Sequence, residues 1–243
     1  MNIQHPIKPR SAGLALLLFL LPATAAISAP SRQNAPPDAE SELVDIRTID
    51  PTIVIELRYA TSQNIAGRPL YPPNMQALIR PSVAKRLLDA HNYLRARGYG
   101  LKIWDAYRPK LAHAQLWQLS RNTSFVSDPN DGIGSLHTWG VAVDATLVDS
   151  KGREMTMPTD YDNFTPAAEF HYRGRDPAIR FHLHLLQSAM ARAGFYGLRT
   201  EWWHFIAENW KSYRSVGETA PPPRQQTGKR PASSRRKGLA HGP

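Results

Sequence analysis

The sequence predicts an α+β domain with a central, mostly antiparallel sheet flanked by helices. Segments of helical period and segments of strand period interleave along the chain without a regular repeat, the pattern of mixed rather than alternating layers. About 190 residues remain once both ends are set aside, enough for one core burying roughly 70% of its unfolded surface. Cysteine is absent, which removes a thiol nucleophile and a disulfide framework, so any metal site must use His, Asp or Glu.

The two ends are set aside for different reasons. Lys8 and Arg10 precede the apolar run Ala12 to Leu21, and small residues follow it (ATAAISA). That is the layout of a secretory signal peptide over residues 1–29, cut between Ala23 and Ala29. A membrane anchor would need ~20 apolar residues, about twice this run, so no stable anchor is expected after cleavage. From residue 220 the chain has no acid and no hydrophobic period, and it reads as a disordered basic tail to residue 243. The formal charge of +10 splits into +6 in this tail, +2 in the leader and +2 in residues 31–219. The tail can contact an anionic envelope polymer, although a solvated extension is the plainer reading. No aromatic residues interleave its cations to stack on bases, so no nucleic-acid partner is expected.

Between the ends, residues 30–219 form the domain. Thr52 to Leu57 (TIVIEL) alternates as a strand, and the Gly- and Pro-broken stretch after it reads as a loop. Pro81 to Arg97 carries Val83, Leu87, Leu88 and Leu94 at helical spacing and stops at Gly98. A strand starts at Leu101 and runs into DAYRP, and Lys110 to Leu119 is a second short helix. Val141 to Val148 is a strand closed by a turn at DSKGRE. Asp176 and Pro177 open a third helix that Gly194 ends, and EWWHFIAE supplies a last, aromatic strand.

Asp144 is the anomaly in this pattern, a carboxylate in the middle of an apolar strand. Left ionised and alone it would cost several kcal/mol, so it requires a hydrogen-bonded partner or a cation. His137 stands seven residues earlier, on the opposite face of an unbroken strand, and Gly140 is where the chain could bend to bring the two together. Alone, the pair is better read as an ordinary His–Asp hydrogen bond or surface pair than as a metal site. Glu201 and His204 could add a base and a third ligand. Three apart, they diverge on a regular strand, so Glu201 must sit at a bent entrance. The competing reading makes Trp202, Trp203 and Phe205 core aromatics and leaves Glu201 on the surface.

Together these residues resemble the zinc D-Ala-D-Ala dipeptidases, the family that includes the enzyme of vancomycin resistance. Ser135, His137, Gly140, Ala142 and Asp144 match its S-x-H-x-x-G-x-A-x-D pattern, and Glu201 to His204 match its E-W-W-H. Tyr107–Arg108–Pro109, Tyr59–Ala60–Thr61 and Asp162 match further motifs in family order across residues 43–210. The resemblance implies a single zinc-peptidase domain with one Zn²⁺ per chain, held by His137, Asp144 and His204. Glu201 would be the base and Arg108 would stabilise developing negative charge, with a structural pair to Asp105 as the alternative for Arg108. Tyr59, Ser135 and Asp162 would bind a small D,D-dipeptide, Asp162 at its amino group. Leu136 departs from the pattern, standing where the resistance enzyme has a second Ser.

The implied activity is zinc-dependent hydrolysis of D-Ala-D-Ala, or of a related D,D-dipeptide, in wall-peptide turnover. The leader implies an exported, periplasmic or envelope location. A peptidoglycan D,D- or L,D-carboxypeptidase of the same zinc superfamily is the nearest alternative. A non-catalytic wall-binding module is the alternative from another class, disfavoured because a structural zinc is closed by four protein ligands. No G-x-S-x-G elbow supports a serine hydrolase.

Overall fold

The computed structural model describes residues 42–120 and 125–217. The expected leader and the whole of the expected basic tail lie outside the described residues. Eleven regular elements follow in chain order: β1 (Val44–Asp45), α1 (Ile46–Ile49), β2 (Val54–Ile55), β3 (Leu78–Ile79), α2 (Pro81–Arg95), β4 (Tyr99–Asp105), α3 (Lys110–Ser120), β5 (Ala142–Asp149), α4 (Pro177–Arg192), β6 (Phe195–Leu198) and β7 (Glu201–Ala207).

Five strands form the main sheet in the order β2-β4-β5-β7-β6, while β1 and β3 make a small antiparallel pair of their own. Only β2 runs parallel to its neighbour, so the expected mostly antiparallel sheet is the one observed. The first strand is shorter than the alternation of Thr52 to Leu57 suggests. β2 is the sheet's edge and pairs with β4 over only Val54 and Ile55, and the chain then winds into a 3-10 turn at Arg58–Ala60 that aims Tyr59 inward.

The helices begin and end where the sequence places the signals. Pro81 occupies the first turn of α2. The Asp176 side chain caps α4 by accepting from the Ala178 and Ile179 backbone N–H groups (2.8 and 3.3 Å). Gly194, with φ +81°, turns the chain out of α4 into β6. Val83, Leu87 and Leu94 of α2 and Leu183, Leu186 and Met190 of α4 join Leu101, Ile103, Val143, Ala145, Leu147 and Phe205 in one buried cluster. This is the apolar side of the sheet.

Side chains alternate across a strand, so Asp144 and Thr146 point away from that cluster. Two irregularities tune the polar face. The register of β4 against β5 shifts between Ile103 and Asp105, which brings Asp105 opposite Asp144, on the face shared by Lys102 and Thr146. The register of β6 against β7 shifts between Gly197 and Leu198, where Leu198 faces Glu201. With Asp144 paired to His204, three polar side chains stand in a row across β4, β5 and β7.

Candidate active site

His137 reaches this row from outside the sheet. It sits in a 3-10 turn, Leu136–Trp139, whose start is capped by the Ser135 hydroxyl accepting from the His137 N–H (3.3 Å). Gly140 ends the turn at φ +70°, a left-handed conformation that side chains with a Cβ avoid. A Cβ there would also come within 2.6 Å of Leu43 Cδ2. The expected bend at Gly140 is thus the device that brings His137 beside Asp144.

Three ligand atoms converge. His204 Nδ1 lies 2.9 Å from Asp144 Oδ1 and 3.1 Å from His137 Nε2, and the latter lies 3.3 Å from Asp144 Oδ1. All three residues are buried. The His137 Nδ1–H donates to the Ala106 carbonyl (2.8 Å), and because a carbonyl can only accept, the Nε2 lone pair is left facing the cluster. Burial works to lift the Asp144 pKa, but the His137 and His204 imidazoles outweigh it and hold the carboxyl far below its usual range. Donors ~2.0–2.2 Å from one ion in tetrahedral array lie roughly 3.3–3.5 Å apart, close to the spacing found here. Two imidazole nitrogens and one carboxylate oxygen, with no fourth protein ligand among the described residues, fit a zinc site with an open position.

The other predicted residues surround this centre. A cavity of about 270 Å³ is lined by all eight: Tyr59, Arg108, Ser135, His137, Asp144, Asp162, Glu201 and His204. Glu201 stands at the bulged start of β7, with Oε2 4.0 Å from His204 Nδ1. It is buried, not on the surface, while Trp202, Trp203 and Phe205 are indeed core aromatics. Burial, then the negative charges of Asp144 and Asp162, push the Glu201 pKa well above the ordinary carboxylate value.

Arg108 is both an ion-pair partner of Asp105 and a wall of the cavity. Its Nε and Nη2 donate to Asp105 Oδ2 (2.9 and 2.7 Å), yet it also lines the cavity, 3.7 Å from Asp144 Oδ2 and with its guanidinium 4.8 Å from the Tyr59 ring centroid. Asp162, in a left-handed conformation (φ +57°), accepts from the Tyr59 hydroxyl and the Ile65 N–H, each at 3.0 Å. Burial lifts its pKa to about 6 against those two bonds.

Tyr161 and His113 were not singled out in the sequence, and Asp105 was expected only as a partner of Arg108. Asp105 is fully buried and gathers Tyr71, the Ala106 N–H and Arg108. As a carboxylate closing an apolar strand, it carries the same signal that marks Asp144. The Tyr161 hydroxyl donates to Asp144 Oδ2 (2.8 Å), and nothing in the spacing of the two residues indicates that contact. His113 lines the cavity with its pKa lowered to about 4, by burial and then by Arg108, and is therefore neutral.

Sequence comparison with known proteins agrees with this picture. The family described as D-ala-D-ala dipeptidase (Peptidase_M15) matches residues 39–215. A D-alanyl-D-alanine dipeptidase of Escherichia coli is 34% identical over 173 residues, covering 71% of this chain and 88% of the relative. One from Enterococcus faecalis is 26% identical over 168 residues, covering 62% and 83%. The solved structure of the VanYB protein in complex with D-alanine-D-alanine overlaps with a TM-score of 0.38 at 15% identity, over 71% of this chain and 88% of that one.

Proposed function

The chain belongs to the D-Ala-D-Ala dipeptidase family, and from that membership we propose that its cavity hydrolyses the peptide bond of D-Ala-D-Ala or a related D,D-dipeptide as a zinc metallopeptidase. The observation that carries the proposal is the convergence of two imidazole nitrogens, a carboxylate oxygen, a buried glutamate and a buried arginine on one small cavity.

In this reading His137, Asp144 and His204 hold one zinc per chain. When bound, the metal supplies a Lewis acid that acidifies water and polarises the scissile carbonyl. Glu201 takes the proton from the attacking water and returns it to the departing amine nitrogen, a task suited to a buried carboxylate standing beside the ligand His204. Arg108, held in place by Asp105, offers its fixed array of donors to the carbonyl oxygen as that oxygen gains charge. Asp162 pairs with the free ammonium of the dipeptide, and Tyr59 steadies Asp162 through its hydroxyl. Ser135 lines the wall next to His137.

Export is supported by the leader-like start of the sequence and places the substrate in wall turnover rather than in a cytoplasmic precursor pool. The basic tail supports a contact with anionic envelope polymer.

A panel of D,D- and L,L-dipeptides, matching tripeptides and N-acetyl-D-Ala-D-Ala, each with and without zinc, tests the activity. Zinc-dependent cleavage of the free D,D-dipeptide in preference to longer or acetylated substrates is expected. Faster cleavage of the acetylated or longer peptides would turn the assignment to a carboxypeptidase. No cleavage of any would turn it to a binding module.

A further inference from the structure

We propose that Tyr161 is a positioning residue for the metal centre: its hydroxyl occupies one oxygen of Asp144 so that the carboxylate offers the metal the other alone. The inference rests on the zinc reading above and concerns a residue that contributes no ligand atom.

The two Asp144 oxygens have different surroundings. Oδ1 faces His204 Nδ1 at 2.9 Å and His137 Nε2 at 3.3 Å. Oδ2 faces away from them, accepting from the Tyr161 hydroxyl at 2.8 Å, with Arg108 Nη2 farther off at 3.7 Å. A carboxylate beside a divalent cation can use one oxygen or both, and a donor fixed on one of them selects the first mode and sets the plane of the group.

The donor is itself fixed. Tyr161 packs its ring against Trp104, Tyr59 and Trp203, with centroids 5.3, 5.6 and 5.6 Å away. The hydroxyl thus has little freedom to leave Asp144. Its neighbour Asp162 is tied to Tyr59 and to the Ile65 backbone, which anchors the segment carrying the ring.

Arg108 Nη2 already lies within ion-pair distance of the same oxygen, at 3.7 Å, so the Tyr161 hydroxyl is the closer of these two donors on Oδ2.

Tyr161→Phe tests the proposal, because it deletes only the oxygen and keeps the packed ring. Zinc affinity is measured by competition with a chromophoric chelator, and melting of the metal-free protein is followed alongside. The reference is Tyr213→Phe, which removes a phenol oxygen bonded to Ser82 and Asn209. Tyr161→Phe should bind zinc roughly 10- to 100-fold more weakly than wild type, while Tyr213→Phe keeps wild-type affinity. The metal-free melting temperature should move no more in Tyr161→Phe than in Tyr213→Phe. Unchanged zinc affinity in Tyr161→Phe, or equal losses in both variants, would overturn the proposal and leave the zinc reading standing. A wild-type protein that binds no zinc would overturn both.

Discussion

At Glu201, burial and two neighbouring carboxylates act in the same direction, each favouring the protonated acid, while Arg108 and a hydrogen bond from Trp203 oppose them. A buried carboxylate beside the ligand His204, with its proton affinity raised, is placed to accept a proton from water and to give it back. Glu201→Gln keeps the shape and the hydrogen-bonding size of the side chain but removes the base. It should retain zinc and lower kcat by about 10²- to 10⁴-fold, measured by steady-state turnover on metal-quantified protein. His204→Ala, by contrast, should lose the metal itself. Asp162 makes a separate prediction. Its pKa of about 6 means that it is ionised above that pH, where it can pair with a substrate ammonium, and protonated below it. The ratio of kcat/KM for free over N-acetylated D-Ala-D-Ala should fall as pH is lowered through about 6. Glu201 enters both rates and cancels in the ratio. Asp162→Asn should flatten this dependence and narrow the ratio. A ratio independent of pH in the wild-type enzyme would remove Asp162 from the ammonium site.

Elements set these distances through their irregularities. Ideal strands would send His137 and Asp144 to opposite sides and would separate Glu201 from His204. The left-handed residue at Gly140 and the register shift where Leu198 faces Glu201 undo both alternations. Gly140→Ala places a Cβ in a left-handed conformation that costs about 1–2 kcal/mol, and at 2.6 Å it forces Leu43 to shift. The variant should be less stable by that amount in urea denaturation. It should also bind zinc more weakly, because the turn it ends carries His137. Wild-type stability and zinc affinity together would show that the bend does not set the ligand's position.

For the whole molecule, three ligands drawn from the turn before β5, from β5 and from β7 mean that bound metal ties sequence-distant segments together. Ligand bound to the folded state alone adds RT ln(1 + [L]/Kd), about 2.7 kcal/mol at 100 times Kd. Chelation should therefore lower the melting temperature as well as abolish turnover, and added zinc should restore both. Truncation after residue 220 should change neither quantity, since the deleted segment has no hydrophobic period with which to join a core. What it should weaken is salt-sensitive binding to anionic wall polymer in a pull-down assay. A large drop in melting temperature on truncation would show the tail docked on the domain.

The sequence by itself determined the chemistry present and much of the architecture. Period, Pro and Gly signals located α2, α3, α4 and the three central strands to within a few residues, because each is a local preference of backbone and side chain. The misplaced polar residue in β5 and the ordered motifs nominated eight of the residues that line the cavity. Edge strand β2 came out shorter than its alternation implied, since pairing length depends on a partner that the segment itself does not encode. Tertiary structure alone decided the rest: which Asp144 oxygen meets the histidines, that Arg108 serves Asp105 while still lining the cavity, and that Tyr161 reaches Asp144. Hydrogen bonds between residues 17 to 67 positions apart depend on strand register and on the packing of whole rings, and these are properties of the assembled sheet, not of any window of sequence.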